Sequence, residues 1–404
     1  MKYVYVSPAL PDSVFGSLLG YGKGSPGQQA QKYNKLLGKG ISLCGRDLLM
    51  LSAPPVPPGS KFFKLIKLKD EKDGAVPYKF LKVLDIPKIK NIYTYFQARK
   101  EIKLIAKGSG GGICVVCDLL TLSASLGALR AAKKLGLTTC GIVTDLPVYL
   151  SGKPSTDSYG KTYAKAVACC DSFVLLTGNM ADALPVSGRP YVVIEGISTP
   201  LADTGANEPL ETGIIPEGRF ILYAGGIEKK YGVEKLVKAF LKANIYGCEL
   251  VLCGGGSYAD ELEKISALNA NIKYLGVIPN EMVMVLEKKA ALLVNPRTSE
   301  GEFTAYSFPS KNIEYMSTGT PVLAYLLPGI PPEYGEFFIT PAGESEEELS
   351  MTLRETLAAD EEELRLFGQR ARAFALEKKS PEAQARLLIN MAEYEAESKK
   401  GKRT

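Results

Sequence analysis

The residues best suited to chemistry lie between Asn295 and Val322. The chain there reads Asn295-Pro296-Arg297-Thr298-Ser299-Glu300-Gly301-Glu302-Phe303-Thr304, and further on Phe308-Pro309-Ser310-Lys311-Asn312-Ile313-Glu314-Tyr315-Met316 up to Gly319-Thr320-Pro321. An apolar run, Ala290 to Val294, enters an acidic loop, and Pro309-Ser310-Lys311 predicts a helix start with its stop at Gly319. Ser310 and the free N–H groups after it can hold a pyrophosphate, and Lys311 can neutralise it. Glu314 follows Lys311 by one helical turn, on the same face, where it can accept both hydroxyls of a ribose. Glu300 and Glu302 precede the helix and can reach sugar hydroxyls beyond the phosphates. Phosphate and hydroxyl recognition side by side points to a sugar nucleotide. The plainer alternative is a capped helix with an ordinary salt bridge.

Two further loops fit the same ligand. Gly225-Gly226-Ile227-Glu228-Lys229-Lys230-Tyr231-Gly232 separates an expected strand from an expected helix. Its paired glycines allow close backbone approach, the helix start favours phosphate, and Lys229 or Lys230 can supply countercharge. Gly254-Gly255-Gly256 ends another buried strand. Either loop can equally be a generic turn. The spacing is not GxGxxG, so the dinucleotide fingerprint is missing. The candidate donor-binding set is therefore Gly225, Gly226, Lys229, Lys230, Gly254, Gly255, Arg297, Thr304, Ser310, Lys311 and Glu314, with Glu302 and Asp145 as catalytic candidates.

Composition narrows the chemistry. Histidine is absent from all 404 residues, which removes His general bases, Ser–His hydrolysis and most catalytic zinc sites. Cys114-Val115-Val116-Cys117 has CxxC spacing but lies in an apolar run after three glycines, so buried strand cysteines are expected. No Asp-x-Asp occurs, and neither metal nor cofactor is expected. Residues 61 to 103 hold eleven lysines and one arginine against five acidic residues. Phe62, Phe63, Tyr78, Phe80, Tyr93, Tyr95 and Phe96 are interleaved with them. That segment reads either as amphipathic elements with solvated lysines or as a surface for an anionic membrane or a phosphate-bearing acceptor. No recognition motif for nucleic acid accompanies it. No window of 18 uninterrupted apolar residues occurs and Met1 to Val6 reads as a strand, so a cytoplasmic location is expected.

The elements that must carry these residues alternate. Strands are expected at 220–224, 249–253, 272–275 and 291–294, with helices at 232–243, 258–268 and 280–289 between them. The first half predicts strands at 3–6, 113–117, 139–143, 172–176 and 191–194, and helices at 123–135 and 159–168. A Gly-rich loop, Ser13 to Gly24, precedes a helix capped by Ser25 with Pro26 at its first position. The tail reads as helical from about Glu361, with caps at Ser380-Pro381 and a basic frayed end, Lys399 to Thr404. Alternation of this kind implies α/β domains with parallel sheets and ligands at strand C-termini. The length fits two domains: residues 1–200, a linker at 201–217, and 218–380, followed by a terminal helix and basic tail at 381–404. A cleft between the two is the expected ligand site.

The segment 220–330 resembles retaining glycosyltransferases of family four. It is most similar to bacterial capsular and exopolysaccharide enzymes carrying a Phe-Pro-Ser-Lys…Glu-Tyr-Met element. Residues 114–197 resemble them more weakly, through Thr144-Asp145-Leu146-Pro147 and Ile194-Glu195-Gly196; residues 55–105 match no named pattern. The resemblance implies the GT-B fold, two Rossmann-like domains facing across a cleft, with a C-terminal helix crossing back to the N-domain. It also implies that Glu314 holds the nucleotide ribose, Ser310 and Lys311 the diphosphate, Lys229 or Lys230 the phosphate-binding lysine's place, and Glu302 a position near the donor sugar. The chain departs from the family pattern in three ways. Eleven residues separate Glu302 from Glu314 instead of seven, the Gly-Gly turn lacks its arginine, and the N-domain histidine is replaced.

What the resemblance implies is a retaining transfer of sugar from a nucleotide sugar, UDP-linked, to a glycan or lipid-linked acceptor in cell-surface polysaccharide synthesis. Such a transfer proceeds on one face of the sugar, with the leaving diphosphate taking the acceptor proton. It depends on phosphate stabilisation rather than on a strong protein base. Asp145, at a strand end, is the candidate for orienting the acceptor hydroxyl; a turn-forming Asp before Leu-Pro is the alternative. Alternatives for the whole chain are a non-catalytic sugar-nucleotide or glycan-binding subunit, a sugar-nucleotide epimerase, or a phosphorylase of the same architecture.

Overall fold

The computed structural model describes residues 1–19, 28–55, 65–86, 89–148, 157–186, 188–199 and 215–401. The chain divides into two units, Met1–Ile197 with Ser380–Thr404, and Ser198–Lys379. The predicted linker at 201–217 falls mainly on residues outside those described.

The first unit is built on an eight-stranded sheet. Its strands are β1 (Lys2–Ser7), β2 (Asp47–Ser52), β4 (Glu71–Asp73), β5 (Val76–Phe80), β7 (Ile113–Asp118), β8 (Thr138–Val143), β9 (Ser172–Leu175) and β10 (Tyr191–Val193). They lie in the order β10-β9-β8-β7-β1-β2-β5-β4, parallel except for the β4–β5 pair. Strands β3 (Leu65–Ile66) and β6 (Val83–Leu84) form a separate antiparallel pair. β7 and β8 are buried along their whole length, the reason their sequences read as continuous apolar runs rather than alternating ones. Cys114 and Cys117 lie in β7 as buried free thiols, and burial pushes both thiols well above the usual range.

Helices Asp12–Leu19, Gln28–Leu43, Ile89–Lys107, Leu122–Lys134 and Ser158–Val167 belong to this unit, together with the terminal helix Pro381–Gly401. That last helix seats its first turn against Gly40, where any Cβ would meet the Pro381 carbonyl oxygen at 1.9 Å. Its far end is tied down as well, Lys399 pairing with Asp171 at 2.5 Å.

Several expectations are corrected here. Residues 13–19 of the expected Gly-rich loop are helical, while the rest of it, with Ser25 and Pro26, lies outside the described residues. Lys399 is anchored rather than frayed. Within the basic segment, Tyr78 and Phe80 are core residues of β5, and Phe62 and Phe63 lie outside the described residues. β2 and the helix Ile89–Lys107 had no sequence expectation.

The second unit holds a five-stranded parallel sheet. β11 (Arg219–Ala224), β12 (Cys248–Cys253), β13 (Ile272–Tyr274), β14 (Leu292–Asn295) and β15 (Val322–Ala324) take the order β13-β12-β11-β14-β15. The crossovers are the helices Val233–Ala243, Ala259–Leu268, Asn280–Lys289 and Lys311–Thr318, and Glu346–Ala358 and Glu361–Lys378 complete the layer. Val233, Leu236, Val237 and Phe240 repeat at helical spacing and pack with Ile221, Leu250 and Leu252 in the core. Gly319 stops the helix Lys311–Thr318 with φ +86°, a conformation glycine adopts without strain.

Candidate functional site

β11 pairs with β12 on one side and β14 on the other. The strand order therefore reverses between β11 and β14, and the carboxyl ends of these two strands form the switch point where open α/β sheets bind ligands. Gly225 and Gly226 follow β11, while Asn295 ends β14 and Pro296 and Arg297 follow it. The predicted Gly-Gly turn, the acidic loop and the Pro309-Ser310-Lys311 helix start thus converge on one edge of this sheet.

Tyr315 fixes the helix to that edge. Buried and one turn beyond Lys311, it accepts a hydrogen bond from the Ala224 N–H at 2.8 Å and donates to the Ala224 carbonyl at 3.1 Å. Asn295 donates to Asn312 Oδ1 at 2.5 Å, joining the end of β14 to the first helical turn. The turn after β11 is pressed down too: Gly232 has φ +80°, and a Cβ there would meet the Pro296 carbonyl oxygen at 2.1 Å. Gly254 and Gly256 serve the same close packing, with built Cβ atoms at 1.8 Å from the Gly225 oxygen and 2.2 Å from the Ile227 oxygen. Gly255 receives the Ile227 N–H at 2.9 Å and is exposed.

The candidate cations differ in their surroundings. Lys229 is an exposed residue paired with Glu261 at 3.0 Å and Glu234 at 3.5 Å, over the Tyr258 ring. Lys230 is exposed and lies over the Tyr231 ring. Lys311 is half-buried, its Nζ 3.2 Å from Glu287 Oε1 and 3.4 Å from Glu314 Oε2. Burial alone would lower the Lys311 pKa, but the two carboxylates outweigh it and raise it. Lys311 is therefore already neutralised by its own helix and by the wholly buried Glu287.

Arg297 stands apart. Its guanidinium lies between the rings of Tyr231 and Phe303, 5.5 and 4.9 Å from their centres, and donates to Ser307 Oγ at 3.0 Å. Its Nε is buried and has no hydrogen-bond partner, and the buried Asn312 Nδ2 is likewise unmatched. Desolvation lowers the Arg297 pKa, without bringing an arginine near neutrality. Two unmatched buried donors, one just past β14 and one in the first turn of the helix, call for acceptors. An anion meets that need, since the first N–H groups of the helix carry partial positive charge.

The loop residues separate into two kinds. Ser310 and Glu302 are exposed, as is Glu300, and Glu302 opens a short 3-10 helix, Glu302–Tyr306. Glu314 is half-buried on the same helix face as Lys311. Thr304 is buried and donates to the Gly301 carbonyl at 2.7 Å, so it holds the loop together. Ser299 N–H donates to Glu344 at 2.7 Å, fixing the loop's other limb.

Asp145 belongs to the first unit, two residues past β8, half-buried, with its pKa raised by desolvation. Next to it in the sheet, β7 ends on Asp118, which the sequence reading passed over. Asp118 is buried, accepts from the Leu120 N–H and from Asn34 Nδ2, both at 2.9 Å, and burial pushes it up to about 6. Glu287 and Tyr315 were missed as well. The signal for Glu287 was a carboxylate on the apolar face of its helix, beside Leu286 and one turn after Val283.

The fold is that of the GT-B class, two α/β units, one built on a mostly parallel sheet and one on a parallel sheet. In keeping with that, residues 207–374 match the family model Glycosyl transferases group 1. A search of the curated proteins finds no match. Among solved structures, the chain resembles sucrose-phosphate synthase from Thermosynechococcus elongatus (17% identity, TM-score 0.62, 98% of this chain and 99% of that one). It is similar to α,α-trehalose 6-phosphate synthase from Burkholderia multivorans (10%, TM-score 0.68, 100% and 98%). It is also similar to HepE from Anabaena in complex with UDP (14%, TM-score 0.62, 98% and 99%).

Proposed function

We propose that the protein is a retaining glycosyltransferase that moves a sugar from a nucleotide sugar, UDP-linked, to a glycan or lipid-linked acceptor in cell-surface polysaccharide synthesis. The observation that carries this reading is the buried, unmatched Arg297 Nε at the switch point of the second unit, beside the start of the helix Lys311–Thr318. In this reading Arg297, Ser310 and the helix N–H groups hold the diphosphate. Glu314 takes the ribose hydroxyls, and Lys311, pinned by Glu287, sets the position of Glu314. Glu302, exposed at the loop, faces the donor sugar. The match of residues 207–374 to the group 1 glycosyl transferase model supports the donor class, and the UDP in the HepE complex supports the base. The donor is a substrate, and the reading calls for neither cofactor nor metal.

Catalysis in this scheme is electrostatic: the site stabilises the leaving diphosphate, which accepts the acceptor proton as the new glycosidic bond forms on the same face. Asp145 of the first unit orients the acceptor hydroxyl. No helix among the described residues is long and apolar enough to cross a membrane; in this reading the enzyme meets a lipid-linked acceptor at the cytoplasmic membrane face as a peripheral protein.

A second reading is a sugar-nucleotide-binding subunit without transfer activity; the absence of histidine favours it. Calorimetric titration with UDP, GDP and ADP, followed by transfer assays with a panel of UDP- and GDP-sugars, separates the two. No binding of any of the three nucleotides removes both readings. Binding without turnover leaves the subunit.

A further inference from the structure

The basic segment of the first unit resolves into one helix with two unlike sides. Ile89–Lys107 turns Thr94, Ala98 and Ile102 inward. It lies so close to the helix Leu122–Lys134 that a Cβ on Gly127 would meet the Tyr95 carbonyl oxygen at 2.2 Å. Arg99 and Arg130 both donate to the Tyr95 hydroxyl, at 3.2 and 3.3 Å, which fixes the helix's rotation. Its outward side is therefore set by the packing.

That side combines apolar and cationic residues. Ile92 is 60% exposed, Phe96 58% and Leu104 49%. Counting 100° per residue, Ile92, Phe96, Arg99, Lys100, Lys103, Leu104 and Lys107 share less than half of the helix circumference. Phe96, Arg99, Lys100, Lys103, Leu104 and Lys107 line one shallow depression. The helix's single acidic residue, Glu101, lies on another flank and pairs with Lys79 at 2.8 Å. Isolated exposed apolar residues are ordinary. Exposed apolar residues interspersed with charges of one sign on a single helix face are not, and that mixture matches the surface of an anionic bilayer.

We propose that this face docks the protein on an anionic membrane: Ile92, Phe96 and Leu104 enter the headgroup region, and Arg99, Lys100, Lys103 and Lys107 contact lipid phosphates. Self-pairing of this face between two copies of the chain is opposed by like charge. A nucleic acid would use the cations but has no need of the exposed Ile92 and Leu104. The proposal is independent of the donor site in the second unit.

The chain contains no tryptophan, so Phe96→Trp places a single fluorescent reporter on the face without touching the core. With the full chain and vesicles of phosphatidylcholine containing about a third phosphatidylglycerol, the reporter emission shifts to the blue and the protein co-sediments. Pure phosphatidylcholine vesicles give neither. Lys100→Glu with Lys103→Glu weakens co-sedimentation about tenfold or more, and raising salt does the same. Ile92→Ser weakens it several-fold at unchanged salt dependence. UDP binding stays as in the parent in all three, which separates failure here from failure of the donor reading. Equal binding to the two vesicle types, or retention of binding after charge reversal, overturns the proposal. So does a blue shift produced by inorganic phosphate or by RNA in the absence of lipid.

Discussion

Lys311 Nζ lies 3.2 Å from Oε1 of Glu287, a carboxylate with no exposed side-chain surface. The pair joins the first turn of one helix to the last turn of another, directly behind the candidate phosphate site. Glu314, on the outer side of the same lysine, completes a Glu–Lys–Glu row.

Removing the lysine alone takes its ion-pair partner from a buried carboxylate, a loss of about 3–5 kcal/mol. Lys311→Met should therefore lower the stability of the second unit by that amount in urea, and adding Glu287→Gln should restore most of it. A loss of nucleotide binding in Lys311→Met would then reflect a disturbed helix as much as a missing contact. Unchanged stability in the single variant contradicts the pairing.

Asp118 predicts a pH signature in the first unit. Its carboxyl titrates at about 6 instead of 3.8, so the folded state holds the proton more tightly than the unfolded chain. The stability this group contributes is complete below about pH 4 and is lost as pH rises through about 6, on the order of 2–3 kcal/mol. Asp118→Asn should flatten that part of the profile. Urea midpoints of the two proteins, measured from pH 4 to 8 on a probe in the first unit, should converge at the acid end and separate at the alkaline end. Parallel profiles would show that Asp118 does not titrate there.

Gly232 is required by backbone geometry. It combines φ +80° with a built Cβ 2.1 Å from the Pro296 oxygen, so Gly232→Ala must move the turn away from the end of β14. A loss of about 2–4 kcal/mol is expected, with weaker UDP binding. Gly218→Ala, whose Cβ finds nothing nearer than 3.9 Å, should stay within about 0.5 kcal/mol. Thermal melts and urea curves of the two variants check this; equal behaviour would mean that the turn yields freely.

The alternation of the second unit was legible because each buried parallel strand is a short apolar run closed by glycine or a turn, and each crossover helix repeats at 3.6 residues. Residues 220–224 and 249–253 show it plainly. β2 and the helix Ile89–Lys107 were not legible. The helix carries apolar residues on its outer as well as its inner face, so its periodicity is blurred. At the site, the helix start at Ser310 and Lys311 could be read locally. The neutralisation of Lys311 by Glu287 could not, because it joins residues 24 apart through the packing of two helices. The two lysines of the Gly-Gly turn are the instructive case. Sequence places both beside the glycines, yet Lys229 pairs with Glu234 and Glu261, while the buried, unmatched Nε belongs to Arg297, two residues past the end of β14.

Calorimetric titration of UDP into the parent protein and Arg297→Ala tests the central claim most directly. Loss of a charged hydrogen-bond donor to the diphosphate should weaken binding about tenfold to a hundredfold, with the fold retained and uridine binding the parent and the variant alike. Equal UDP affinity in the two proteins, or no heat from UDP with the parent, would contradict a donor site built on Arg297 at the end of β14.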